Sequence, residues 1–110
     1  DPYVYYEYGN QKHKSTIAKG QGMNPDGKMK SKYLAVEEPT AMKVSIYDRE
    51  IFKWDDLVGQ TSFEVNKTGL FFLPVYLNDK KSGEVMFIYQ STSDTFILDN
   101  LKTIKVSIDA

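Results

Sequence analysis

Cysteine is absent from the 110 residues. That excludes disulfides and thiolate-ligated zinc and fits a reducing compartment. An excess of one charge is also missing. Fourteen Lys and Arg balance fifteen Asp and Glu for a formal net charge of -1, so no basic field draws the chain to nucleic acid. No apolar run approaches the roughly 20 residues of a membrane-spanning helix; the longest, residues 70–77, is broken by Pro74. Nothing at the amino end reads as a secretory leader. The single histidine, His13, stands between Lys12 and Lys14 on an expected exposed strand, with no thiol nucleophile and no Ser–His–acid spacing. Asp55 and Asp56 are adjacent, so their side chains diverge rather than form a carboxylate dyad. An enzyme is therefore not expected. No segment carries a helical period, and the length suits one domain with one core.

Aromatic residues are plentiful: eight Tyr and six Phe, types enriched in strands. Alternation of period two recurs along the chain. Val4, Tyr6 and Tyr8 alternate with Tyr3, Tyr5 and Glu7; Met42, Val44 and Ile46 with Lys43, Ser45 and Tyr47; Val85, Phe87 and Tyr89 with Met86 and Ile88; Ile104, Val106 and Ile108 with Lys105, Ser107 and Asp109. Such patterns predict half-buried antiparallel strands, at about 2–8, 12–19, 31–36, 41–47, 59–65, 70–77, 84–90 and 102–108. Turn residues separate them: Gly9-Asn10, Asn24-Pro25-Asp26-Gly27, Glu38-Pro39, Lys67-Thr68-Gly69 and the stretch from Asn78 to Gly83. The expected fold is all-β, an eight-stranded antiparallel β-sandwich spanning residues 1–110 as a single domain.

Mid-chain, Asp48, Glu50, Asp55 and Asp56 place four carboxylates within nine residues, with Phe52 and Trp54 on the same loop. Carboxylates this crowded repel one another unless a cation sits among them, and the two rings favour leaving water. An EF-hand is excluded, because Phe52-Lys53 stand where that loop needs a polar residue and then Gly. A solvated acidic turn and a cation-dependent docking tip both remain open on these residues alone.

The order of features resembles a C2 domain. Asp1-Pro2-Tyr3-Val4 opens a strand; Lys12-His13-Lys14-Ser15-Thr16 gives a Lys-rich strand ending in Thr; Asn24-Pro25 follows. Val44-Ser45-Ile46-Tyr47-Asp48 then leads through the acidic loop to Leu57-Val58-Gly59, and Gly83-Glu84-Val85-Met86-Phe87 closes the series. There are departures. Asp26-Gly27 stands where an aromatic usually follows Asn-Pro, and Glu50 where Asp is usual. The family's first strand and half its first calcium loop are missing before Asp1, yet residues 101–110 look like that strand. A circular permutation accounts for this, as does a fragment carrying the opening strand of a following domain; a strand exchanged in a dimer is a further option.

The resemblance implies calcium held by Asp1, Asp48, Glu50 and Asp56, with the Arg49 or Lys53 carbonyl as additions. Bound calcium would cancel the loop's charge and take headgroup phosphates, so that Phe52 and Trp54 enter an anionic phospholipid membrane while Lys53 touches a phosphate. Lys12, Lys14, Lys30 and Lys32 offer a second headgroup surface or simply a solubilising strand face. The implied protein is cytoplasmic and becomes peripheral to a membrane on calcium binding. The alternative is a calcium-independent interaction domain whose Phe52 and Trp54 face a protein partner.

Overall fold

The computed structural model describes residues 1–15, 31–37 and 40–106. They form eight strands: β1 (Pro2–Tyr8), β2 (Gln11–Lys14), β3 (Ser31–Ala35), β4 (Ala41–Asp48), β5 (Asp56–Glu64), β6 (Gly69–Leu77), β7 (Lys80–Ser91) and β8 (Thr95–Lys105). All neighbours are antiparallel, in the order β2-β1-β4-β5-β6-β7-β8-β3. β5 and β6 share only the Gln60–Tyr76 bridge. The continuous ladder therefore folds over there into two four-stranded leaves with the core between them, the eight-stranded antiparallel β-sandwich that the alternation predicts.

Alternation decides what fills the core. Val4, Tyr6 and Tyr8 of β1, Val44 and Ile46 of β4, Val85, Phe87 and Tyr89 of β7, and Phe96 and Leu98 of β8 are all buried. Rings interlock across the leaves: Tyr6 meets Phe87 edge-on at 6.1 Å and Tyr8 meets Phe96 at 5.1 Å, separations at which aromatic pairs attract. The buried tyrosine hydroxyls have partners. Tyr6 donates to Asn100 Oδ1 at 2.6 Å, Tyr8 to the Glu37 carbonyl at 2.6 Å, and Tyr89 to the Val65 carbonyl at 3.0 Å.

The second seam, between β2 and β3, is closed by side chains. The Gln11 amide donates to the Ala35 carbonyl at 2.6 Å and accepts from the Ala35 amide at 2.8 Å, reproducing the two-bond exchange of an antiparallel pair. Glu37 Oε2 accepts from the Asn10 amide nearby. Glycine has a packing reason at Gly83, where a Cβ would come within 2.7 Å of the Ile104 carbonyl oxygen.

Several strand limits differ from the sequence reading; β5, for one, starts at Asp56 rather than at 59. β7 starts at Lys80 because Asn78 and Asp79, with φ of 51° and 66°, make a two-residue hairpin by themselves; Asn and Asp tolerate that left-handed backbone. β8 starts at Thr95 rather than near 102, and forms a hairpin with β7 while pairing on its other side with β3. β2 is described to Lys14, and the expected remainder to 19, the Asn24–Gly27 and Glu38-Pro39 turns, and residues 107–110 lie outside the described residues.

Candidate functional site

β4 and β5 run side by side until Asp48 faces Asp56, the last pair before the loop of residues 49–55. A bulge between Ile46 and Tyr47 opposes Tyr47 to Leu57 instead of Val58. It sets which residues of β5 point inward just below the loop. The loop carries three large apolar side chains outward: Ile51 is 83% exposed, Phe52 98% and Trp54 93%. Hydrogen bonds to one side chain, rather than apolar packing, hold the loop in shape. Asp55 accepts from the Glu50 amide at 3.0 Å and from the Tyr3 hydroxyl at 2.5 Å. These bonds, the Glu50 amide foremost, hold its carboxyl below the usual range. Burial, reinforced by the bond to Asp55, pushes the Tyr3 phenol up to about 12. Tyr3 itself stacks on Tyr47 at 5.7 Å and carries the Lys14 ammonium 4.2 Å above its ring.

The other carboxylates have different partners. Lys105 Nζ donates to Asp48 Oδ2 at 2.5 Å; that bond, with the fields of Asp48, Asp56 and Glu50, raises the ammonium's pKa above the ordinary lysine value. Lys53 Nζ lies 3.4 Å from Asp56 Oδ2, both groups more than half exposed, a pairing of little energetic weight. The Asp1 carbonyl accepts from the Arg49 amide at 3.1 Å, so Asp1 lies beside this loop end. Sequence reasoning placed Asp1, Asp48, Glu50 and Asp56 here. It missed the roles of Asp55, which the divergence of neighbouring side chains could have revealed, and of Lys105, for which no local signal exists.

Whether these residues fit calcium is decided by how their oxygens converge. Calcium takes six to eight oxygens at about 2.3–2.6 Å. Among the described residues, no three Asp, Glu, His or Cys side chains come together in a way that could hold a metal. Asp48 faces an ammonium, Asp56 a second, and Asp55 an amide and a phenol. As arranged, the acids do not form a calcium cage.

The lysines separate. Lys12 and Lys14 oppose Glu7 and Tyr5 on the outer face that also carries Tyr3 and Tyr47. Lys32 acts on His13, which alternates with Lys12 and Lys14 and so lies on the other side of β2. Lys30 lies outside the described residues. His13 is half-buried rather than exposed: its ring stacks on Tyr6 at 5.9 Å.

Two antiparallel leaves, with a loop at one end that holds crowded charge and bare rings, define a β-sandwich binding module. Residues 1–86 match the C2 domain family, and the chain belongs to it. The match ends within β7, so β8 lies beyond it. The chain is also similar to the 16 kDa phloem protein 2 of Arabidopsis thaliana, 32% identical over 62 residues; the stretch covers 56% of this chain and 42% of that protein's length. Domains of the C2 family generally bind membranes, calcium or other proteins.

Proposed function

We propose that this chain is a peripheral membrane-binding module that docks through residues 49–55. The observation that carries the reading is the simultaneous exposure of Ile51, Phe52 and Trp54 at a single loop tip. Apolar rings at a sandwich end have no packing role there, and Trp favours the membrane–water interface. Each ring contributes about 1–3 kcal/mol when it leaves water. Arg49 precedes the rings and Lys53 stands between them; both can meet headgroup phosphates, each cation contributing about 1 kcal/mol near an anionic surface. Lys12 and Lys14, on the outer face beside Tyr3, extend the cationic surface. Calcium dependence is what the family resemblance implies for Asp1, Asp48, Glu50 and Asp56, and the same assay tests it. The permuted strand order belongs to this proposal too, since β8 brings Lys105 to Asp48 at the end where Asp1 lies.

Vesicles of phosphatidylcholine and phosphatidylserine, sedimented with calcium chloride or with EGTA, provide the test. The fluorescence of Trp54, the only tryptophan, should shift to the blue on vesicle binding. Replacing Phe52 and Trp54 together by Ala should lower the partition coefficient at least about 30-fold. Unchanged sedimentation of that variant would reject the reading. Exposed Leu70, Phe72 and Tyr76 on β6 favour a second reading, a protein partner; their replacement by polar residues should leave vesicle binding intact.

A further inference from the structure

We propose that Lys105 is the resident cation of the acidic loop end, occupying the place beside Asp48 and Asp56 that a metal ion would take, so that the loop docks without calcium. The first half of this proposal stands on geometry alone; the second rests on the membrane-docking reading.

Asp48 and Asp56 are directly opposed on neighbouring strands, and like charges so placed destabilise a sheet. A cation is therefore needed where β4 and β5 part. Lys105 supplies it from β8, a strand of the other leaf and 57 residues away in sequence, through a 2.5 Å contact to Asp48 Oδ2. The two carboxylates are not equivalent. The Asp48 side chain is 18% exposed and takes Lys105, whereas that of Asp56 is 57% exposed and takes the loop's own Lys53. The more shielded carboxylate, where desolvation makes an unpaired charge costliest, thus has the cation anchored in the sheet.

The contact lies in a cleft of about 310 Å³ lined by Asp48, Asp56, Leu57, Leu77, Ser82 and Lys105. A calcium ion entering it meets an ammonium that offers no oxygen and repels it. An ammonium cancels one charge through hydrogen bonds, but it has no coordination position to lend to a phosphate. Docking then falls to Phe52, Trp54 and the lysines around them.

The experiment titrates calcium chloride by calorimetry, without lipid, into the wild-type chain and into Lys105→Met and Lys105→Ala. The wild type should take up no calcium in the millimolar range. Either folded lysine variant, checked by circular dichroism, should gain calcium affinity by about ten-fold or more, because Asp48 is then free of a competing cation. Wild-type binding as tight as that of the variants, or no gain in either folded variant, overturns the proposal. The Asp48 carboxyl carbon resonance of the wild type gives a reading that needs no variant: it should stay put as calcium is added, and a saturating shift overturns the proposal. Vesicle sedimentation is run beside these measurements. Equal wild-type binding in calcium and EGTA is expected, and binding only in calcium overturns the second half. Absence of binding in both rejects the membrane reading and with it the docking half, while calorimetry still decides whether Lys105 holds the cation position.

Discussion

His13 shows how much one side chain's surroundings change its chemistry. Read from its neighbours Lys12 and Lys14 it is a surface residue. In the fold it lies flat against Tyr6 with Lys32 across the seam. Burial first, and the Lys32 charge second, lower its pKa from the ordinary 6.5. As pH falls through 6.5 the unfolded chain takes up the proton before the folded one. The contribution to stability is complete above that pH and is lost as pH drops through the lower folded value. Because there is one histidine, its imidazole proton resonance reports directly. The midpoint should lie below 6.5 and rise in Lys32→Ala without returning to the ordinary value, since burial persists. A midpoint at or above 6.5 in the wild type would contradict the packing described. No neighbour in sequence announces this environment: Tyr6 and Lys32 belong to other strands.

At the scale of elements, β1, β4, β5 and β6 are close to what alternation predicts, because apolar residues recur at every second position over most of their length. β8 is not. Ile97 and Leu101 are only partly covered, and Asn100 points inward, so the pattern blurs where the strand begins. Asp99-Asn100 then imitates a turn. The Oδ1 of the inward Asn100 is satisfied by Tyr6 of the facing leaf, which donates to it at 2.6 Å. Tyr6→Phe should therefore cost about 1–3 kcal/mol by leaving that oxygen buried and unpaired. Adding Asn100→Leu should recover part of the loss, because an apolar pair removes the unmet bond. Urea unfolding of the two single variants and the double variant measures the coupling. Strict additivity would mean that the bond does not contribute. The candidate site follows the same division: the acids and rings of 48–56 are contiguous and legible, whereas the cation that meets Asp48 arrives from the least legible strand.

For the whole molecule, the two seams differ in kind. One is a backbone fold-over at Gln60–Tyr76, while at the other, among the described residues, the Gln11 side chain makes the two backbone bonds of Ala35 on that edge. Gln11→Ala should expose the edge of β3. Amide exchange at Ala35 should quicken by roughly 2–13-fold for a bond of about 0.5–1.5 kcal/mol, and self-association should increase, since bare sheet edges recruit strands. Exchange at Ala35 unchanged in that variant would show that the seam is held by other contacts. Eight strands were countable in the sequence because turn residues punctuate them. Which edges meet was not, because the closing contacts are side-chain bonds between residues 24 positions apart.

Sliding one strand by two residues would keep every alternating side chain on its proper face, so greasiness alone tolerates several alignments of the leaves. The hydroxyls of Tyr6, Tyr8 and Tyr89 do not. Each meets one oxygen distant in sequence, at Asn100, Glu37 and Val65; a slip of β1 would take the first two hydroxyls from their partners, and a slip of β7 the third. The tyrosines thus act as dowels in the sandwich: they fill the core as rings, and with their tips they admit only one assembly.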